Sequence, residues 1–147
     1  MFSIPEEVKL ITKTLEESGY EAYLVGGCVR DLIVDRKPKD WDVTTNATPE
    51  DITRIFPSAF YNNTFGTVGV PTDSEEQSLR VIEITPYRTE GEYTDSRRPE
   101  SVHFGQSLEE DLKRRDFTIN AMAFSVSKKL LVDPYKGQED IKDKVIR

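Results

Sequence analysis

Two glycines and an arginine near the start of the chain have the spacing of a phosphate-binding turn. Gly26 and Gly27 follow the apolar run Ala22–Val25, which predicts a short buried strand. Because glycine has no Cβ atom, the backbone there can turn tightly and come close to a ligand. Arg30 follows shortly after, and its planar guanidinium suits phosphate oxygens. This stretch therefore predicts an anion-binding turn.

Two aspartates lie ten residues further along, in a stretch that resembles a strand. Asp40 and Asp42 flank Trp41 within the predicted strand 40–45. Since side chains alternate between the faces of a strand, we expect both carboxylates to point the same way and Trp41 to point into the opposite layer. Two hard oxygen ligands next to a phosphate cradle suit magnesium and a nucleoside triphosphate.

A third acid, Glu83, lies in the middle of the predicted strand 79–85. Ile82 and Ile84 share one face of that strand, and Glu83 lies on the other. A charge in mid-strand is unusual unless it is solvated on an open face or lines a site. The residues themselves leave both readings open.

The remaining pattern predicts short strands and helices in irregular order. The predicted elements are a helix capped by Ser3 and ended at Gly19, strand 21–25, helix 29–34, a helix opened by Thr48 and ended by Pro57, strands 59–61 and 67–70, a charged helical stretch 108–116, paired strands 123–126 and 130–132, and a helix from 137 to 145. This mixture indicates a small α/β or α+β domain around a mixed sheet, because strict βαβ alternation is absent.

Composition restricts the class of protein. The 147 residues are enough for one domain with a hydrophobic core. Their net charge of −7 argues against non-specific electrostatic binding of nucleic acid. Cys28 is the lone cysteine, which excludes an internal disulfide and fits a reducing compartment. The N-terminus has acids where a signal peptide needs an apolar core, and no run approaches a membrane span. We expect a soluble, cytoplasmic protein without a membrane partner.

Five blocks of the sequence, taken in order, resemble a known family. They are Gly26–Asp31, Lys39–Thr45, Ile82–Arg88, Arg97–Pro99 and Asp111–Ala121. Together they resemble the head domain of class II tRNA nucleotidyltransferases, which are the CCA-adding enzymes and their bacterial poly(A) polymerase relatives. One departure is the segment 33–35, where the family usually has leucines and a glycine and this chain has Asp35.

The resemblance implies a catalytic head similar to that of DNA polymerase beta, with a mixed sheet flanked by helices. It implies two Mg²⁺ ions held by Asp40 and Asp42, with Glu83 completing the catalytic set. The implied reaction adds CCA, or its terminal A, to the tRNA 3′ end without a template. CTP and ATP would supply the nucleotides, and pyrophosphate would leave.

The resemblance also assigns residues to the nucleotide. Gly26, Gly27 and Arg30 would hold the triphosphate, and Arg115 would also reach the nucleotide. Asp116 and Asn120 would recognise the ribose or brace that arginine. Asp31 is expected to be structural and to pair with a basic neighbour.

The segment 86–101 matches the family's flexible loop, which enzymes that add the terminal A possess. It therefore favours a CCA-adding or A-adding enzyme over a CC-adding one, while a bacterial poly(A) polymerase stays open. The resemblance further implies that residues 1–147 form the head alone. The base-selecting motif and the domains that bind most of the tRNA would then lie outside them.

Two other functions remain compatible with the residues. A metal-dependent phosphohydrolase could use the same acids and would release phosphate rather than pyrophosphate. A non-catalytic nucleotide-binding module would carry the acids only as a solvated face. A Rossmann dinucleotide site is disfavoured, since the pattern Gly-x-Gly-x-x-Gly does not follow Val25.

Overall fold

A seven-stranded mixed sheet runs through the computed structural model, which describes residues 2–61, 66–87 and 107–147. The strand order is β3-β4-β5-β2-β1-β6-β7. Among these described strands, β2 and β5 run parallel and the other neighbouring pairs run antiparallel. The strands are β1 Ala22–Val25, β2 Asp42–Thr45, β3 Phe60–Tyr61, β4 Val68–Pro71, β5 Val81–Pro86, β6 Ala123–Ser125 and β7 Leu130–Val132. The mixed α/β architecture is the one predicted.

Helices pack against this sheet. They are α1 Glu6–Glu17, α2 Gly27–Ile33, α3 Pro49–Ile55, α4 Leu108–Lys113 and α5 Gly137–Lys142, with 3₁₀ turns at Gln77–Leu79 and Thr118–Asn120. Helix α3 starts at the predicted cap: the Thr48 hydroxyl accepts the Asp51 amide at 3.1 Å, and the Asp51 carboxylate accepts the Thr48 amide at 3.1 Å. The predicted Ser3 cap is wrong, because Pro5 occupies the N-cap of α1 without a side-chain cap bond.

The two faces of the sheet have different partners. Leu24, Val43 and Ile84 lie in register on neighbouring strands and belong to the main apolar core beneath α1 and α3. The alternate positions face the other way, where Val25 and Ala123 pack with Leu112 of α4. The site residues of β2 and β5 lie on this second face, because alternation places them opposite the main core.

The strand that carries the aspartates is shorter than predicted. The predicted strand 40–45 begins only at Asp42, and Asp40 lies in a bend just before it. Pairing with β5 starts at Asp42 opposite Glu83, and the Glu83 amide donates to the Trp41 carbonyl at 3.2 Å. Trp41 is 3% exposed and lies in the main core, so it anchors the entry to β2.

Other predicted strand features agree with the structure. Ile82 and Ile84 are fully buried while Glu83 is half-buried, which is the predicted alternation. The predicted pairing of 123–126 with 130–132 is confirmed by the antiparallel pair β6–β7. The predicted loop 86–101 lies outside the described residues beyond Tyr87. Within the described ranges, the helices are too short or too polar to cross a membrane.

Gly137 provides a test of how tightly α5 packs against the 3₁₀ turn Thr118–Asn120. A Cβ atom at this position would collide with the Thr118 carbonyl oxygen and lie 2.9 Å from Met122 Sδ. We expect Gly137→Ala to destabilise the fold by about 1–3 kcal/mol in urea unfolding, because overpacking forces the backbone to shift. Glu139→Ala, on the exposed side of the same helix, is the control and should stay within about 0.5 kcal/mol of wild type. Equal stability of the two variants would contradict this packing.

Candidate active site

Asp42 and Glu83 face each other across the parallel pair of strands. They are register partners on β2 and β5. The pKa of Asp42 is raised to about 6, first by burial and then by the negative charge of Glu83, with a smaller contribution from Asp40. The charge of Arg115 acts in the opposite direction. The three acids predicted from the sequence are therefore close enough for the charges of Glu83 and Asp40 to raise the pKa of Asp42.

Asp40 reaches this place from outside the strand. It is exposed in the bend before β2, so strand alternation is not what directs it. It nevertheless lines the same cavity as Asp42, a space of about 330 Å³. Gly27 and Arg30 line that cavity as well. Asp40 and Asp42 thus lie near the glycines and Arg30, as predicted. The bend before β2, rather than strand alternation, brings Asp40 there.

The glycine pair forms the corner between β1 and α2. Gly26 has φ +78°, a left-handed conformation that glycine adopts without strain. A Cβ atom on Gly26 would lie 3.7 Å from Arg115 Nη1, and one on Gly27 would lie 3.3 Å from Arg30 Nη2. Two guanidinium groups therefore lie close to the corner, one against each glycine. This arrangement suits a polyanionic ligand.

Arg30 is held by two side chains. Its Nη1 donates to Asn120 Oδ1 at 2.9 Å, and its Nε and Nη2 lie 3.4 Å from Asp31 Oδ1. The expected pairing of Asp31 with a basic neighbour is therefore present. Asn120 was expected to recognise the ribose or to brace Arg115. Its side-chain oxygen instead binds Arg30, and its role toward the ribose stays a prediction. The 3₁₀ turn Thr118–Asn120 packs against α2, which is why residues 90 positions apart in sequence meet.

Arg115 lies in the turn after α4 and is held by Asp111. Asp111 is fully buried and accepts from Arg115 Nε at 3.2 Å and Nη2 at 3.0 Å. No role for Asp111 was predicted from the sequence, although an acid four residues before an arginine is a recognisable helical pair. Asp116 is exposed in the same turn, and its role toward a ribose stays a prediction.

The same cavity also contains basic residues that sequence reasoning did not select. Arg36, Lys37 and Lys39 line it together with Asp40 and Asp42. They belong to the connection between α2 and β2, which composition identified only as a loop. Their charge offsets part of the negative charge of the acids, and their position could be read only from the folded chain.

A divalent cation fits the donor set of this cavity. Asp40 and Asp42 line it and offer hard oxygen atoms, and Glu83 lies opposite Asp42 on the neighbouring strand. The raised pKa of Asp42 indicates that its negative charge is disfavoured without a counter-charge. Across residues 2–61, 66–87 and 107–147, however, no three His, Cys, Asp or Glu side chains are already arranged as a metal cluster. The residues therefore suit the ion chemically, and a bound ion would have to draw them together.

Cavity size alone does not locate this site. A larger cavity, of about 690 Å³, lies beside the N-terminal segment and the end of α2. Phe2, Leu32 and Trp41 line it, and none of the predicted site residues does. The cavity at the glycine corner is the one that Asp40 and Asp42 line together with Gly27 and Arg30.

Comparison with known families finds one match that covers most of the chain. Residues 22–147 match the family model described as the poly A polymerase head domain. A CCA-adding enzyme of Geobacillus kaustophilus is 46% identical over 142 residues, covering 96% of this chain and 34% of that protein. The chain therefore spans about a third of the length of the curated relatives it matches.

Solved structures give the same result for the fold. The CCA-adding enzyme of Bacillus stearothermophilus in complex with CTP superposes with a TM-score of 0.81 at 38% identity, covering 98% of this chain and 34% of that one. A tRNA nucleotidyltransferase complexed with a primer tRNA and an incoming ATP analog superposes with a TM-score of 0.69 at 31% identity, covering 93% of this chain and 38% of that one.

Removing the charge of Asp42 should stabilise the metal-free protein. The folded-state pKa of about 6 lies above the ordinary value of 3.8, so the folded chain loses stability as pH rises between these values. We expect Asp42→Asn to be more stable than wild type by about 1–3 kcal/mol at pH 7.5 in a chelator. The advantage should shrink as pH falls toward 4. Urea unfolding at several pH values measures this.

Asp73→Asn, at an exposed loop position, is the matched control and should not change stability at any of these pH values. An Asp42→Asn variant that is less stable than wild type at pH 7.5 would contradict the proposed repulsion between the acids.

Cys28 should be unreactive in the folded protein. It is 3% exposed in α2, its thiol donates to the Val25 carbonyl at 3.4 Å, and burial raises its pKa to about 12. Because the thiolate is the reactive form, we expect no alkylation by iodoacetamide at pH 8 in native buffer and full alkylation in guanidinium chloride. Mass spectrometry measures both, and rapid labelling of the native protein would contradict this burial.

Proposed function

The chain belongs to the poly A polymerase head domain family, and from this membership we propose that it is the catalytic head of a CCA-adding tRNA nucleotidyltransferase. The reaction would add C, C and A to the tRNA 3′ end without a template, consuming CTP and ATP and releasing pyrophosphate. Relatives named CCA-adding enzymes support this activity, as do solved relatives described with CTP and with a primer tRNA and an ATP analog.

One observation carries the proposal. Asp42 and Glu83 lie in register on adjacent parallel strands, and the glycine corner, with two arginines close to it, lines the same cavity as Asp42. Gly26 and Gly27 allow a triphosphate to approach the backbone closely. Arg30 and Arg115 then supply charged donors on either side of it.

Magnesium is the proposed cofactor, held by Asp40 and Asp42 with Glu83 completing the set. Two such ions would favour ionisation of the attacking 3′-hydroxyl and stabilise the leaving pyrophosphate. The protein's own residues position the reactants. Arg30, fixed by Asn120 and Asp31, would bind phosphate oxygens without further rearrangement.

The two arginines also account for charge stabilisation in the proposed reaction. Negative charge on the departing phosphates would be met by donors that are already oriented, so little reorganisation would accompany reaction. Asp116 is proposed to recognise the ribose. Residues 26–42 and 115–120 would therefore form the nucleotide side of the site.

The tRNA partner is proposed to bind mainly outside residues 1–147. This follows from the net charge of −7 and from the fraction of the relatives that the chain spans. Residues 1–147 are proposed as the head domain. A role in tRNA processing would place the reaction in the cytoplasm.

The decisive experiment is magnesium-dependent nucleotide binding by this chain, measured by calorimetry with CTP and ATP. We expect weak binding by wild type and a loss of about 10-fold or more for Asp42→Ala and Asp40→Ala, because each removes an oxygen ligand. Asp73→Ala removes an equal charge at an exposed loop position and should bind as wild type does.

Product analysis separates the alternative functions. Release of inorganic phosphate from ATP would indicate a phosphohydrolase, and unchanged binding by Asp42→Ala would indicate a non-catalytic nucleotide-binding module. With a tRNA acceptor, these residues alone should add nucleotides poorly or without order. Efficient addition of C, C and A in sequence would contradict the assignment of this chain as the head alone.

A further inference from the structure

Asp111 is a fully buried carboxylate shared by two arginines. Its Oδ1 accepts from Arg114 Nε at 3.4 Å, and its Oδ2 accepts from Arg115 Nε and Nη2 at 3.2 and 3.0 Å. A buried charge is costly unless it is paired and hydrogen-bonded, and both oxygens here are occupied. The two arginines differ in what lies near the rest of the guanidinium group.

Helix α4 provides a rigid base for this carboxylate. Leu112, the next residue, is fully buried against Val25 and Ala123, on the strands that flank the site face. Ser107 caps the helix by accepting the Glu110 amide at 3.2 Å. The packing of helix α4 therefore fixes the position of Asp111 independently of its contacts with the two arginines.

Arg115 leaves one edge of its guanidinium for another partner. Nε and Nη2 are bound to Asp111, whereas Nη1 is the atom nearest to a Cβ placed on Gly26, at 3.7 Å. The charge of Arg115 also reaches Asp42, whose carboxyl pKa it lowers. The edge that Asp111 does not bind therefore points toward the glycine corner and the acids.

We propose that Asp111 is the positioning residue that holds the Arg115 guanidinium at the glycine corner, with the Nη1 edge directed toward the bound nucleotide. The proposal rests on the proposed function, since it assigns a task within that nucleotide site. An arginine side chain loses substantial rotamer freedom when it binds a ligand. Fixing that side chain beforehand reduces this cost and strengthens nucleotide binding.

Arg114 provides an internal comparison. It contacts the same carboxylate with a similar geometry, at 3.3 Å, and its side chain is buried to almost the same extent as that of Arg115, with 21% and 20% exposed. Among the main influences on the pKa of Asp42 is the charge of Arg115, and that of Arg114 is not one of them. Asp111 thus acts on the site through one of its two arginines, and the other serves as a matched control.

A double-mutant cycle on magnesium-dependent CTP binding tests this. We expect Asp111→Asn to weaken binding about 10-fold in the otherwise wild-type chain, the order of one charge-assisted hydrogen bond. In an Arg115→Ala background the same substitution should have no further effect. Arg114→Ala should keep the wild-type affinity.

A general structural role for Asp111 predicts a different pattern. Asp111→Asn would then weaken binding equally with and without Arg115, which would overturn the proposal, as would wild-type affinity in a folded Asp111→Asn variant. Asp111→Glu keeps the charge and should recover part of the affinity even if Asp111→Asn folds poorly. Failure of Asp111→Glu to bind better than Asp111→Asn would also count against it.

Failure of the proposed function is separable from failure of this inference. If the wild-type chain binds neither CTP nor ATP with magnesium, the function is wrong and the role of Asp111 falls with it. If wild type binds and the cycle shows no coupling between Asp111 and Arg115, only the positioning role is wrong.

Discussion

The parallel pairing of β2 with β5 is the constraint on which this site depends. It places Asp42 directly opposite Glu83, two acids 41 positions apart in the chain. A slip of one residue would move either acid to the opposite face, into the main core with Val43 and Ile84. The buried neighbours of the acids therefore specify the register, and the register specifies the site.

Charge in the site is arranged in two separate ways. The acids at the centre repel one another, and burial together with this repulsion raises the pKa of Asp42. The arginines around them are already paired, Arg30 with Asp31 and Arg115 with Asp111. An arrangement of this kind costs stability in the absence of a cation, and such costs are typical of binding sites.

Several parts of this picture could be predicted from local sequence. The Thr48 cap, the alternation around Glu83 and the β6–β7 pair follow from propensity and periodicity, which act over a few residues. The five blocks that resemble a family of nucleotidyltransferases led to the correct family. Element ends were less predictable: β2 begins at Asp42 because pairing with β5 begins there, and a single sequence does not reveal its pairing partner.

By itself, the sequence determined the candidate residues for the chemistry: a glycine pair, two arginines and three acids whose types suit phosphate and a hard cation. Only the tertiary structure decided how they meet. Asn120 braces Arg30 rather than Arg115, and Asp40 reaches the cavity from a bend rather than from the strand. Asp111, which had no assigned role, holds Arg115. The physical reason is that these contacts join segments distant in the chain, and packing on the sheet sets their geometry while local preferences do not.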